Sequence, residues 1–263
     1  MTAGDLLEAA HSFQFRSLRE QLEDRPFVVV APHPDDESLA CGGLIADACR
    51  QGLRGTVVIV SDGVGSHPNS SAYPPDRLRS LREGEARRAA KELGLRPEEI
   101  LFLGLPDRFV PCEGEEAERA IGVIVHCTRE IGARSLFVSW RHDPHCDHQA
   151  SYWIAREVQR RADELRLFEY VVWGSTLPPS TEVDTLGGFR IGIDHAAREK
   201  SVARLPRTAR RQAISLTTIL PDFDSPRASW AVSIFLMSSF LRATHERTAR
   251  NAQARVFRLD LHG

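Results

Sequence analysis

The sequence lacks a hydrophobic run long enough to cross a bilayer, any internal repeat and any low-complexity tract. Its most apolar late segment, Ala228–Leu241, falls short of the about 18 apolar residues that a membrane-spanning helix requires. An excess of one charge is lacking too, since 34 Lys and Arg residues oppose 36 Asp and Glu residues. The resulting formal net charge of -2 creates no overall field that would attract nucleic acid or an anionic membrane. We therefore expect the partner to be a small molecule.

Cysteines are few, and no two of them have the CxxC spacing. An odd number of cysteines without such a pair is typical of a reduced protein and not of a secreted protein stabilised by disulfides. Its members are Cys41, Cys49, Cys112, Cys127 and Cys146. The segment Met1–Asp24 carries several charges and no apolar core of a signal peptide, so it predicts a short amphipathic helix. Both observations favour a cytoplasmic protein.

The chain also lacks a polar linker that would divide it into domains. With 263 residues, 42% hydrophobic and 27% charged, it has the composition of a globular protein. A chain of this size buries a core without needing a structural metal. We predict one domain over residues 1–263, with its core at about residues 25–175 and a C-terminal extension at about residues 176–263.

Short apolar segments alternate with segments of helical periodicity. The apolar segments predict five strands: Phe27–Ala31, Thr56–Val60, Ile100–Leu103, Leu136–Ser139 and Phe168–Trp173. The segments between them predict helices: Ser38–Arg50, Asp76–Leu93, Glu115–Ile131 and Gln149–Ala162. This alternation predicts an α/β, Rossmann-like fold, in which a mostly parallel sheet of order 3-2-1-4-5 is flanked by helices. In the C-terminal extension the weaker pattern predicts a strand at Phe189–Ile193 and helices at Ala196–Arg211 and Ser229–His245.

The sequence PHPDDES, residues 32–38, lies where the first predicted strand ends and the first helix begins. Loops at the carboxyl ends of parallel strands form the functional edge of such sheets. This loop carries one imidazole, His33, and two adjacent carboxylates, Asp35 and Asp36. Neighbouring carboxylates repel each other, and a divalent metal relieves that repulsion. Since His and Asp are ordinary zinc ligands, the motif favours a metal site. Helix capping by the two Asp residues is the alternative.

A second cluster, RHDPHCDH at residues 141–148, follows the fourth predicted strand in the same way. His145 and His148 are spaced i, i+3 around Asp147, which can direct both rings to one point. In the predicted strand order the first and fourth strands are neighbours, so the two motifs converge in one crevice. We infer a metal site from this convergence. His142, outside the HxDH core, is interpreted as a solvated loop residue.

With these motifs the sequence resembles the LmbE-like, or PIG-L, family of zinc-dependent de-N-acetylases. PHPDDE matches the first motif of that family letter for letter. The similarity continues through LREGEARRAAKELGL, FLGLPD and the HxDH core, over about the first 165 residues. The resemblance implies a Rossmann-like fold and one zinc ion per chain. It also implies hydrolysis of an N-acetyl or other N-acyl group on an amino sugar or a related small-molecule conjugate.

The resemblance further implies roles for individual residues. The zinc ligands would be His33, Asp36 and His148. Asp35 would be the general base, and His145 would polarise the amide carbonyl or protonate the leaving amine. Three protein ligands leave one tetrahedral position open, as catalytic zinc sites require. We expect Asp147 to hold His145 in the tautomer that this chemistry needs.

Two positions depart from the pattern of the family. Cys146 stands where the second motif usually has Pro, and Asp143 stands where some members have Tyr. We expect Cys146 to point into the core, and no Tyr hydroxyl can be carried over as an oxyanion donor. Arg82 could contact sugar hydroxyls or form a surface ion pair. Asp62 could bind a substrate hydroxyl or form a turn with Gly63.

Three other functions fit parts of the pattern. A dinucleotide enzyme is disfavoured because two carboxylates occupy the turn where GxGxxG would bind a pyrophosphate. A metallophosphoesterase with a binuclear centre needs more ligands than the two motifs supply. A non-catalytic, zinc-stabilised sugar-binding module would not require Asp35 or His145. The sequence leaves a homo-oligomer possible and indicates neither a nucleic-acid nor a membrane partner.

Overall fold

The structure, a computed structural model, describes residues 1–162, 164–184, 187–194 and 230–237. In this part of the chain one sheet of eight strands has helices on both faces. The strands are β1 (Phe15–Arg16), β2 (Phe27–Ala31), β3 (Gly55–Ser61), β4 (Ile100–Leu105), β5 (Ser135–Ser139), β6 (Arg166–Tyr170), β7 (Gly188–Asp194) and β8 (Trp230–Met237). The α-helices are α1 (Ala3–Ala10), α2 (Leu18–Leu22), α3 (Asp36–Arg50), α4 (Pro75–Leu93), α5 (Glu115–Ile131) and α6 (Cys146–Arg161).

Five adjacent strands of the sheet are parallel, in the order β6-β5-β2-β3-β4, with β4 at the edge of the sheet. β2 lies in the middle, between β3 and β5, and all of its residues are buried. An apolar strand such as FVVVA suits this place because helices cover both of its faces. The predicted order 3-2-1-4-5 and the Rossmann-like α/β fold are confirmed.

Successive residues of β2 contribute to two hydrophobic layers on opposite faces of the sheet. Val29 belongs to the layer that includes Ile45 of α3, whereas Val28 belongs to the layer that includes Ile124 of α5. This alternation follows from the pleat of a strand. Helices α3 and α4 thus cover one face, and α5 and α6 cover the other. The loops at the carboxyl ends of β2 and β5 lie between the two helical layers.

The four predicted helices of the core are present, with small shifts at their ends. The predicted bounds Glu115–Ile131 are those of α5. Helix α3 begins at Asp36, two residues before the predicted start, and α6 begins at Cys146, three residues before it. Both motifs therefore run directly into the first turn of a helix. The fifth predicted strand is shorter than expected, because β6 ends at Tyr170 and not at Trp173.

The C-terminal extension contributes two strands to the same sheet. β7 matches the predicted strand at Phe189–Ile193. The helix predicted at Ser229–His245 is wrong over residues 230–237, which form β8, antiparallel to both β6 and β7. A short, continuous apolar run does not distinguish a strand from a buried helix, and here pairing with two neighbouring strands decides. The helix predicted at Ala196–Arg211 lies outside the described residues.

The N-terminal segment is divided into two short helices, so the predicted amphipathic helix is confirmed only for α1. That helix begins with a reciprocal capping box, in which Asp5 N–H donates to the Thr2 hydroxyl and Thr2 N–H donates to the Asp5 carboxylate. β1 follows and pairs in parallel with β7. Among the residues that the structure describes, no helix has the length and apolarity to cross a membrane.

Candidate metal centre

Two loops at the carboxyl edge of the sheet bring the sequence motifs together. The loop after β2 carries His33 and Asp35, and Asp36 is the first residue of α3. The loop after β5 leads to His145, which caps α6, and His148 lies in the first turn of that helix. Because β2 and β5 are adjacent and parallel, both loops leave the sheet at neighbouring points. The predicted convergence of the two motifs is observed.

Three side-chain atoms from these loops form a small triangle. His33 Nδ1 lies 3.2 Å from Asp36 Oδ2 and 3.3 Å from His148 Nε2, and the third side, from Asp36 Oδ2 to His148 Nε2, is 3.2 Å. Tetrahedral zinc with bonds of about 2.1 Å separates its ligands by about 3.4 Å. All three residues are buried. The donor types and their spacing therefore fit one zinc ion.

The electrostatics of the triangle favour a positive charge at its centre. Burial alone would lower the pKa of His33, yet hydrogen bonds to three carboxylates raise that pKa well above its ordinary value. Burial opposes the charged form of His148 as well, but Asp36 and Asp143 raise its pKa to about 9. Burial would raise the pKa of Asp36, and the two imidazoles hold it well below its usual range. A cation bound between these groups satisfies the same carboxylates.

Carboxylates also face the ring nitrogens on the outer side of the triangle. His33 Nε2 lies 3.1 Å from Asp147 Oδ2 and 3.3 Å from Asp107 Oδ1. His148 Nδ1 lies 3.2 Å from Asp143 Oδ1. Metal-binding imidazoles commonly have such partners, which fix the tautomer and the ring orientation.

Asp147 contacts both His33 and His145, and it reaches His145, its expected partner, through its backbone and not through its carboxylate. Its carboxylate bonds the ring of His33 and accepts the backbone N–H groups of Arg108 and Val110. His145 is instead held by the main chain, because the backbone N–H of Asp147 donates to His145 Nδ1. The identity of the partner depended on where the loop after β4 lies, which the sequence spacing does not show.

This main-chain contact assigns the tautomer of His145. Since Nδ1 accepts a hydrogen bond, the neutral ring carries its proton on Nε2. Burial lowers the pKa of His145, and the nearby His33 and His148 lower it further. The ring centroid lies 4.6 Å from that of His33 and 5.2 Å from that of His148. The geometry therefore leaves His145 Nε2 beside the triangle, and the expected role of this residue, to polarise the carbonyl or to protonate the leaving amine, stays a prediction.

Asp35 lies beside the triangle without being one of its three corners. Its side chain is 27% exposed, and its Oδ2 lies 3.1 Å from Arg82. Burial and the negative charge of Asp36 raise the pKa of Asp35 to about 6, against the opposing effect of Arg82. A carboxylate that adjoins the ligands and remains accessible is placed to accept a proton.

The two predicted substrate-binding residues are engaged within the protein. Arg82 donates to the carbonyl oxygens of Gly63 and Pro34 in addition to its ion pair with Asp35. Its guanidinium thus holds the loop that carries the first motif in place through Pro34 and Asp35. A direct contact of Arg82 with substrate stays a prediction.

Asp62 holds the neighbouring loops together. Its Oδ1 accepts the backbone N–H groups of Val64 and Asp107, and its Oδ2 lies 2.6 Å from Arg79. The bond to Val64 closes the turn at Gly63, which was one of the two expectations for this residue. A substrate contact for Asp62 is likewise untested.

Sequence reasoning left two carboxylates of the site without a role, Asp107 and Asp143. Asp107 ends the FLGLPD segment and follows β4, so its place at the carboxyl edge of the sheet was a usable signal. Asp143 gave only a weak signal, as a polar residue two positions before His145. Cys146 does not point into the core as expected. Its thiol is partly exposed and lies 3.5 Å from the carbonyl oxygen of Arg108.

The fold and the triangle define a candidate metal centre at the switch point of a doubly wound α/β sheet. The family model described as PIG-L, GlcNAc-PI de-N-acetylase, matches residues 28–159. The matched segment is half of the chain and contains both motifs. The chain therefore belongs to the PIG-L family.

One curated relative is the 1D-myo-inositol 2-acetamido-2-deoxy-alpha-D-glucopyranoside deacetylase of Streptomyces avermitilis, 31% identical over 170 residues. The match covers 55% of this chain and 56% of that protein, so the chain spans little more than half the length of this relative.

Among solved structures, an N,N'-diacetylchitobiose deacetylase from Pyrococcus horikoshii matches with a TM-score of 0.58 and 18% identity, over 84% of this chain and 90% of that chain. GalB, a 4-carboxy-2-hydroxymuconate hydratase from Pseudomonas putida KT2440, matches with a TM-score of 0.61 and 18% identity, over 84% of this chain and 99% of that chain. At these identities the likeness shows the shared fold.

Proposed function

We propose that this protein is a zinc-dependent hydrolase that removes an N-acetyl or other N-acyl group from an amino sugar or a related small-molecule conjugate. The observation that carries the proposal is the triangle of His33, Asp36 and His148, with a carboxylate and an imidazole beside it. Membership of a family described as a de-N-acetylase supports it. The name of the relative from Streptomyces avermitilis, a deacetylase of an acetamido sugar conjugate, supports it as well.

One zinc ion per chain would be held by the three corners of the triangle. A bound zinc ion supplies Lewis acidity, which polarises a carbonyl oxygen and lowers the pKa of water. Because each ligand atom comes from a buried side chain on a strand–helix junction, the protein contributes a rigid, water-poor site.

Asp35 is the proposed general base. As water attacks the amide carbon, one of its protons passes to the carboxylate of Asp35 and its oxygen bonds to that carbon. Arg82 keeps the carboxylate beside the site through the contact at 3.1 Å. When the carbon–nitrogen bond breaks, the same proton passes from Asp35 to the leaving nitrogen. The products are the free amine and the carboxylic acid, and the proton balance is closed.

His145 is the proposed donor to the carbonyl oxygen. Its Nε2–H stabilises the negative charge that develops on that oxygen as the tetrahedral centre forms. A neutral donor suits this role because its proton stays on the ring throughout. In this proposal His145 supplies the oxyanion donor for which no Tyr hydroxyl can be carried over.

The fold alone does not carry the choice of reaction, since GalB, with the same fold, is a hydratase. The test is a screen of the zinc-loaded protein with N-acetylglucosamine, its glycosides and its nucleotide-linked forms, in which acetate and free amine are measured together. We expect equal amounts of both products. Phosphate release without acetate would favour the metallophosphoesterase, and inertness of a zinc-loaded protein toward all acetamides would favour the non-catalytic binding module.

A further inference from the structure

Asp143 lies in the loop between β5 and α6, two residues before His145, and it is fully buried. We propose that Asp143 is a positioning residue that fixes the imidazole of His148 for metal binding and ties it to the loop after β6. The proposal rests on the proposed metal site. It gives a function to a buried acid at a position where related sequences can carry a different residue.

The carboxylate faces the outer nitrogen of the ring. Asp143 Oδ1 lies 3.2 Å from His148 Nδ1, while Nε2 of the same ring faces the triangle, 3.2 Å from Asp36 Oδ2. His148 is completely buried, and within the described residues its Nδ1 has no partner with hydrogen-bond alignment; Asp143 Oδ1, in ion-pair contact at 3.2 Å, is the carboxylate oxygen beside it. An imidazole that binds a metal through Nε2 carries its proton on Nδ1, where a carboxylate accepts it. Asp143 therefore favours the tautomer that leaves Nε2 free for the metal.

The position of this carboxylate is set by the main chain around it. Oδ2 accepts the backbone N–H of Trp173 at 2.7 Å, and Oδ1 accepts the backbone N–H of His145 at 3.3 Å. At its own backbone, Asp143 N–H donates to the carbonyl oxygen of Trp140. A carboxylate held by two backbone N–H groups has little freedom to turn away from the ring. The orientation of His148 is thereby coupled to the segment that follows β6.

Two independent contacts hold His148 in place. The hydroxyl of Ser139 donates to its backbone carbonyl oxygen at 2.9 Å, which fixes the main chain. Asp143 acts on the ring. Neither substrate contact nor direct ligation explains Asp143, because its side chain is inaccessible to solvent and lies on the side of the ring away from Asp36.

The test is the metal affinity and the spectrum of the intact chain with Co²⁺, which reports ligand geometry without any substrate. Metal-free wild type, Asp143→Ala and Asp143→Asn are titrated with Co²⁺ in competition with a chromophoric chelator. We expect Asp143→Ala to weaken binding at least about 10-fold and to change the visible absorption bands of bound Co²⁺. Asp143→Asn keeps the shape and one acceptor oxygen, so we expect a smaller loss.

Asp47→Asn is the matched control, because Asp47 is also a buried acid but lies near the far end of α3, where it bonds Arg50 and Gln51. We expect it to bind Co²⁺ as wild type does, with the same spectrum. Wild-type affinity and spectrum in both Asp143 variants would overturn the inference and leave the proposed function standing. A lower melting temperature of Asp143→Asn with unchanged Co²⁺ binding would also overturn it. Failure of the wild type to bind Co²⁺ would overturn both proposals.

Discussion

The guanidinium of Arg82 joins α4 to the first motif, 3.1 Å from the carboxylate of Asp35 and within hydrogen-bond distance of the Pro34 carbonyl oxygen. A third bond, to the carbonyl oxygen of Gly63, anchors the same group to the loop after β3. One side chain thus fixes both the main chain and the carboxylate of the proposed base. The arrangement explains why an arginine inside a surface helix is only 14% exposed.

Replacement of Arg82 tests whether its three contacts hold Asp35 in position. We expect Arg82→Lys and Arg82→Gln to lower kcat by about 10-fold or more with unchanged zinc content, because neither side chain can reach all three oxygen acceptors with the planar geometry of guanidinium. Steady-state acetate release and metal analysis measure the two effects. Arg87→Gln, a change on the same helix where Arg87 covers the ring of Phe102, is the control and should behave as wild type.

An increase of KM with an unchanged kcat in the Arg82 variants would contradict a role of Arg82 in positioning Asp35. That result would assign Arg82 to substrate binding, which was the other expectation from the sequence.

The metal stoichiometry is the second prediction. We expect one zinc ion per chain in the purified protein, its loss on dialysis against a chelator, and no metal retention by His148→Ala or Asp36→Asn, since each variant removes one corner of the triangle. His142→Ala is the control in the same loop, because His142 pairs with Asp184 and not with the triangle. Two metal ions per chain would contradict the mononuclear site.

Acid stability away from the site gives a third prediction. Arg160 and Arg161 hold the pKa of the Glu157 carboxyl at about 2, below its ordinary value of 4.5. A lowered folded-state pKa stabilises the protein above about pH 4.5, and this stabilisation is lost as the pH falls toward about 2. We expect Glu157→Gln to lower the free energy of unfolding at pH 7, with a difference from wild type that shrinks as the pH falls from about 4.5 toward about 2.

Urea unfolding at a series of pH values measures this difference. Glu115→Gln is the control, because that carboxylate is almost fully exposed and lies 3.9 Å from its nearest arginine. A constant difference between wild type and Glu157→Gln over the whole pH range would contradict the electrostatic explanation.

A core substitution tests the packing beneath the site. Phe137 of β5 is fully buried, with ring centroids of Phe27 and Phe168 at 6.0 Å and 5.2 Å. We expect Phe137→Ala to lower the free energy of unfolding by about 3–5 kcal/mol, because it removes a packed ring and leaves a cavity. Phe109→Ala, at a ring that is 75% exposed, should change it by less than about 0.5 kcal/mol. Equal effects in the two variants would contradict the assigned burial.

The five parallel strands could be predicted because each is a short apolar segment, which burial on both faces makes continuous in Phe27–Ala31. The same argument failed for residues 230–237, where an apolar run was interpreted as a helix and forms β8. Such a run is compatible with either structure. Here it forms a strand because it pairs with β6 on one side and with β7 on the other.

At the site, the sequence identified the residues that share one short motif and missed contacts between distant segments. The triangle follows from two loops whose neighbourhood the strand order determines. The bond from Asp147 to His33 joins residues 114 positions apart and depends on how α6 begins. The contacts of Asp107 depend in turn on the path of the loop after β4. Spacing within a motif predicts which residues share a loop, whereas their partners across loops require the three-dimensional fold.

Asp35→Asn separates proton transfer from metal binding when its zinc content and its rate of acetate release are measured on the same preparation. We expect one zinc ion per chain, as in wild type, together with a kcat that is about 100-fold to 10,000-fold lower, because the proposed base is removed and the three ligands remain. Near-wild-type acetate release from a zinc-loaded Asp35→Asn protein would contradict the role of Asp35 as general base.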